Sequence, residues 1–112
     1  MDEMTVLVKT FDELSTRELY ELLRLRSKVF VEEQLCPYQD LDGLDYESIH
    51  LFSMRPDGSV SAYARLHWKD ADSGTVRLGR VVNDERGVGL GMKLLTSAIE
   101  KARSMGAREI YI

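Results

Sequence analysis

One cysteine, Cys36, is the whole thiol content of the chain. It excludes an intrachain disulfide and a cysteine-based zinc cluster, and it makes a reducing, cytoplasmic setting the expectation. Basic residues are also in short supply: 15 lysines and arginines against 19 acids leave a net charge of −4. No basic stripe is available to neutralise a phosphate backbone, so no nucleic-acid partner is expected. No apolar run approaches membrane-spanning length, and Met1-Asp2-Glu3 carries acid where a signal peptide carries base. Neither a membrane partner nor export is therefore expected. The nucleotide P-loop pattern is missing too, since neither Gly-Lys-Ser nor Gly-Lys-Thr occurs. His50 and His67 have no spacing that converges on a metal, and the acidic stretch lacks the regular oxygens of a calcium loop, so no metal is expected. With 112 residues, 44% apolar and 30% charged, the composition is that of one soluble globular domain over 1–112 with a single core.

The elements read off in order. Thr5-Val6-Leu7-Val8 is a short apolar run suited to a first strand. At the next helix start, Ser15 and Glu18 form a capping box, and Leu14 and Leu19 a hydrophobic staple. Leu19, Leu22, Leu23, Val29 and Phe30 recur at helical spacing, with Arg24 and Lys28 on the other side. This helix is expected to end before Cys36-Pro37, because a residue preceding proline is pushed out of the helical region. A loop-like acidic stretch follows, with Asp40, Asp42, Asp45 and Glu47 around Gly43. Residues 49–55 read as a strand and Pro56-Asp57-Gly58 as a tight turn. Val60, Ala62, Ala64, Leu66 and Trp68 alternate with Ser61, Tyr63, Arg65 and His67, the period of a half-buried strand. Residues 75–82 read as another strand. Leu90, Leu94, Leu95, Ala98, Ile99 and Ala102 make one face of a second helix, with Gly106 as its C-cap. Residues 108–112 begin a further strand. The expected class is α+β, a mixed, largely antiparallel sheet flanked by helices.

Between the strand at 75–82 and the second helix lies Arg86-Gly87-Val88-Gly89-Leu90-Gly91-Met92. Alternate glycines permit backbone conformations that side chains forbid and let a ligand approach the main chain. The free N–H groups and dipole of the following helix favour a phosphate or pyrophosphate there. A dinucleotide fingerprint does not fit, because the third glycine falls at the wrong interval. What fits is Arg-x-x-Gly-x-Gly, as Arg86, Gly89 and Gly91.

That pattern resembles the acetyl-coenzyme A pyrophosphate loop of the GNAT (GCN5-related) N-acetyltransferases. A second stretch, from Leu25-Arg26 through Val29-Phe30-Val31, Glu33-Gln34, Cys36-Pro37-Tyr38 and Asp40 to Gly43 and Asp45, is similar to the signature of the ElaA-like branch. His50, Ala62-Tyr63-Ala64-Arg65-Leu66 and Leu78-Gly79-Arg80-Val81-Val82 match that branch as well. The resemblance implies transfer of an acetyl group from acetyl-CoA to a primary amine of a small molecule or peptide, by direct attack. It implies that Val81, Val82 and Asn83 bond the pantetheine arm through their backbone. Arg86, Gly87, Val88, Gly89, Leu90, Gly91 and Met92 would then hold the pyrophosphate. Two departures from the family accompany it. The segment between Val82 and Arg86 is about two residues shorter than in relatives. The family's final helix and strands, which supply one cleft wall and often a tyrosine acid, are absent, so the chain is expected to be truncated or completed by a second copy. A coenzyme-binding remnant without turnover, or an interaction module pairing its terminal strand in a homodimer, are the alternatives.

For catalysis the resemblance points to Glu33, as a group that binds or deprotonates a cationic amine, and to His50. Set beside these are the plainer readings: a solvated acid at a helix end, and a structural histidine on a strand. Asp40, Asp42 and Asp45 read as a hydrated loop or as a field attracting ammonium groups. Arg80, on an otherwise apolar strand, either pairs with an acid in the core or points into the substrate cleft. Cys36 reads as a small, partly buried side chain, and Met92 and Met105 as packing.

Overall fold

Ser15 starts the first long helix as its sequence dictates. Its hydroxyl accepts from the Glu18 N–H at 3.0 Å, and the Glu18 carboxylate accepts from the Ser15 N–H at 2.8 Å. Helix α1 (Thr16–Arg26) grows from this box, and Leu14 and Leu19 pack together against the core beneath it. Ser15→Ala is expected to cost about 1 kcal/mol of unfolding free energy in urea titrations, because the Glu18 N–H loses the hydroxyl that accepts from it. Past Arg26 the main chain widens into a π-helical segment, Ser27–Glu33, so the expected single helix is two winding patterns in series. The structure, a computed structural model, describes residues 5–33, 39–84 and 89–112, with the main chain alone for 31–33.

The five strands are β1 (Leu7–Thr10), β2 (Ile49–Met54), β3 (Val60–Asp70), β4 (Thr75–Asn83) and β5 (Glu109–Tyr111), and they lie in the sheet in chain order. The first four are antiparallel, and β5 joins β4 in parallel over Thr75–Arg77. Gly58, at φ +90°, closes the β2–β3 turn, with its N–H bonded to the Arg55 carbonyl at 2.9 Å. Helix α2 (Leu90–Ser104) makes the crossover to β5. It ends on Gly106 at φ 84°, where the Ala107 N–H reaches back to the Ala102 carbonyl at 3.0 Å and the Gly106 N–H to that of Arg103 at 3.0 Å. Both bonds satisfy carbonyls that a helix end otherwise leaves exposed.

The expected alternation in β3 is overturned: every residue from Val60 to His67 is buried. One face of the sheet (Leu51, Ala62, Ala64, Leu66, Val76, Leu78) packs under Leu90, Leu94, Ala98 and Ala102 of α2. The other (Phe52, Val60, Tyr63, Val82) packs under Leu22 and Leu25 of α1. Alternation in sequence marks the two faces of a strand, and here the second row is covered too: Tyr63 lies under α1 and Arg65 is paired with Asp42 and Asp45.

Candidate functional site

Strand β4 is irregular where the sequence is richest in motif. Tyr63 pairs with Val82 and Arg65 with Gly79, so the stretch 63–65 of β3 faces the longer stretch 79–82 of β4. The surplus residue makes a β-bulge, which takes main-chain groups out of the ladder and twists the strand. Arg80 sits in it with φ 52°, the only left-handed non-glycine residue among those described. Of the residues expected to line the pantetheine arm, Val81 is half exposed, Val82 is buried, and Asn83 closes the ladder opposite Ala62.

Glu85, Arg86, Gly87 and Val88 lie outside the described residues, so their expected contacts are not placed. The far side of the loop is. Gly89, at φ 76°, is the N-cap of α2 and has no side chain with which to cap it. The N–H groups of Leu90, Gly91 and Met92 fall in the first turn, where a helix offers no internal acceptor. No acid stands in that turn, while Lys101 and Arg103 balance the opposite end. Leu90 is buried and anchors the turn in the core, whereas Met92 is exposed at its surface, against the packing role expected for it. A Cβ placed on Gly91 meets no heavy atom within 4 Å. Among the described residues, the turn thus leaves space open at Gly91 beside its main-chain donors.

Beside the bulge, three arginines and three aspartates form one network. Arg26 is wholly buried; its Nη1 lies 2.8 Å from Asp45 Oδ1 and its Nε 3.2 Å from Asp40 Oδ2. Arg65 reaches both Asp42 oxygens at 2.9 Å and Asp45 Oδ1 at 3.0 Å. Arg80 Nε lies 2.8 Å from Asp40 Oδ1, and its Nη2 lies 3.2 Å from Asp42 Oδ2 and 3.0 Å from the Asp40 carbonyl. Both sequence readings of the acids are corrected: they are neither a hydrated loop nor a field held open for ammonium groups, because three guanidinium charges balance them. For Arg80 the first alternative, pairing with acid, is the one observed.

Burial alone would raise the Asp42 carboxyl, but the Arg65 bonds, the Leu44 N–H and the nearby Arg80 charge bring it down to about 2. Asp45 is likewise burdened by burial and yet held below the ordinary carboxylate value by Arg26 and then Arg65. Carboxyls depressed in the folded state stabilise it at pH above their unfolded values, and that contribution drains away as pH falls through the folded ones. Folding free energy should thus decline between about pH 4 and about pH 2 through Asp42. An Asp42→Asn protein should show a shallower slope when urea midpoints are measured across that range, with the Asp45 share remaining.

His50, expected as a candidate catalyst, is fully buried with both ring nitrogens engaged. Nε2 faces the Asp45 carbonyl at 2.9 Å and must donate to it, so Nδ1 accepts from the Tyr63 hydroxyl at 2.6 Å. Burial lowers its pKa and keeps the ring neutral, while burial raises that of Tyr63 and keeps the phenol a donor. This geometry locks the acidic turn Leu44–Glu47 to β2 and β3 and offers no nitrogen to a substrate. Glu33 lies on the π-helical segment, and its side chain is outside the described residues. Arg26 was missed in sequence although its place on the apolar stripe, four residues after Leu22, marks it as a charge that needs a buried partner.

Two hollows flank these elements. One of about 330 Å3 lies between Leu23, Ser27, Gln39, Asp40 and Leu41, next to the arginine network. The other, about 870 Å3, runs between α1 and the β2–β3 turn toward Asp84, which pairs with Arg55. Among the described residues no group of His, Cys, Asp or Glu is arranged to hold a metal, and no helix is long and apolar enough to cross a membrane.

The profile of the Acetyltransferase (GNAT) family matches residues 16–112. A UPF0039 protein of Schizosaccharomyces pombe is 40% identical over 105 residues, covering 92% of this chain and 69% of that protein. Among solved structures, an acyl-CoA N-acyltransferase of Pseudomonas aeruginosa superposes with a TM-score of 0.80 at 43% identity, over 90% of this chain and 71% of its own. Escherichia coli ElaA gives a TM-score of 0.80 at 38% identity, over 89% and 70%. The curated relatives extend beyond the match, the chain spanning 59% to 69% of their lengths.

Proposed function

Because this chain belongs to the acetyltransferase (GNAT) family, we propose that it is an N-acetyltransferase domain that moves an acetyl group from acetyl-CoA to a primary amine of a small molecule or peptide. The observation that carries the reading is the first turn of α2, where Gly89 brings no side-chain cap and, among the described residues, space is open at Gly91, in the element that follows the bulged strand. Its donors and dipole suit a diphosphate, and the missing Cβ atoms leave room for one. Acetyl-CoA supplies the activated acyl carbon. The chain supplies position: the main chain of Val81, Val82 and Asn83 orients the pantetheine arm, and residues 86–92 hold the pyrophosphate, with Arg86 adding a charge.

Direct attack by the amine requires no nucleophilic side chain, so the protein's work is alignment and removal of a proton. The small hollow beside Asp40 is the approach we assign to the amine, and Glu33 is retained as the proton acceptor. His50 is assigned a structural role in place of a catalytic one. The setting we assign is cytoplasmic.

Titration calorimetry with acetyl-CoA, followed by thiol release across an amine panel, tests the proposal. Binding with turnover on at least one amine is the expected result. An absence of heat at millimolar ligand overturns the coenzyme reading, and binding without turnover on any amine overturns the catalytic one.

A further inference from the structure

From the juxtaposition of the bulge and the ionic network, we infer that Arg80 is a positioning residue: Asp40 and Asp42 clamp its guanidinium so that its backbone stays left-handed, and this holds the β4 bulge in the form that meets the coenzyme. The inference rests on the coenzyme reading above and adds a cause for the geometry of that strand.

A non-glycine residue at φ 52° is disfavoured by contact between its Cβ and the following carbonyl, by about tenfold in population. Gly79 precedes Arg80 in the same bulge and could have taken that conformation without cost. The chain instead places it on an arginine. That arginine donates to an Asp40 oxygen at 2.8 Å, to the Asp40 carbonyl at 3.0 Å and to Asp42 at 3.2 Å. The acids are themselves fixed: Asp40 by buried Arg26, and Asp42 by a two-pronged bond to Arg65. Arg65 stands on β3 opposite Gly79. The clamp thus reaches from the end of α1, through the acidic loop, to both strands that frame the bulge. Released from it, residue 80 would relax toward extended backbone and the surplus residue would redistribute along β4. Val81 and Val82 would then no longer present the same main-chain groups.

Two variants that differ by one methyl group separate this role from the others. Arg80→Ala removes the clamp and keeps the Cβ, so the competent strand should be populated about tenfold less and acetyl-CoA affinity should fall by that factor. Arg80→Gly also removes the clamp but tolerates the left-handed backbone, and it should recover the affinity to within about twofold of the parent. Equal losses in both variants would overturn the inference, because they are what a guanidinium touching the ligand, or a general loss of network stability, would produce. Full affinity in Arg80→Ala would overturn it as well.

The strong intraresidue HN–Hα cross-peak of a left-handed residue at position 80 provides a readout without ligand. It should be present in the parent and weak in Arg80→Ala. An unchanged peak in Arg80→Ala refutes the clamp. A parent protein that shows this peak and binds no acetyl-CoA refutes the coenzyme reading and the positioning role together, with the clamp itself upheld.

Discussion

Gly91→Leu should weaken acetyl-CoA binding by about two orders of magnitude while leaving the protein folded. A hydrogen bond to a charged acceptor contributes about 1.5–3 kcal/mol, and the side chain would stand over the main-chain donors of the α2 turn. Losing two such contacts gives at least about 100-fold in affinity. Stability should hold or rise, since leucine forms helix more readily than glycine by up to about 1 kcal/mol, and a Cβ here meets nothing within 4 Å. Calorimetry with acetyl-CoA and a thermal midpoint taken without it give the two numbers. Retained affinity in a folded variant removes the pyrophosphate from this turn. Gly89→Val is a blunter test, because φ 76° makes any side chain there a source of strain as well.

A second large effect is expected from Asp45→Ala. Asp45 is the acid shared by Arg26 and Arg65, at 2.8 and 3.0 Å, and Arg26 has no solvent to turn to. Removing one partner of a buried pair costs about 3–5 kcal/mol, chiefly because the remaining charge stays buried. That is a large share of the roughly 5–15 kcal/mol that holds a domain of this kind together. Urea unfolding followed by circular dichroism should show it. The control is Asp57→Ala in the exposed β2–β3 turn, expected to shift stability by only about 0.5 kcal/mol. A loss below about 1 kcal/mol for Asp45→Ala would mean that water enters the network and that the acidic loop is held by something else.

Local signals were legible before the structure and distant ones were not. The Ser15–Glu18 box, the glycine turn before Ser59 and the Gly106 cap are each decided within a few residues, so their chemistry shows in the letters. The alternating glycines at 87–91 marked the start of α2 at Leu90 in the same local way, while their reading as a ligand turn stands as a proposal. The network was not readable. Arg26 and Asp45, or Arg80 and Asp42, meet only after the sheet has formed, and an isolated acid in a polar stretch looks the same whether it is solvated or paired. Tyr63, Arg65 and His67 were assigned to a wet face for the same reason: alternation reports two faces and does not say what covers the second. The bulge escaped because pairing register is a property of two strands, and Gly79-Arg80 carries no sign of which residue will turn left-handed.

The strand order carries a consequence for how the molecule comes to be made. Strands β2, β3 and β4 are joined by short turns and each lies beside the one before it, so these two hairpins can close as soon as their second arms leave the ribosome, while β1 waits across α1 for β2. The parallel pairing of β4 with β5 requires the crossover through α2. Nascent chains arrested after Asn83 should therefore already hold a protease-resistant meander, and the α2 turn would be added to it afterwards.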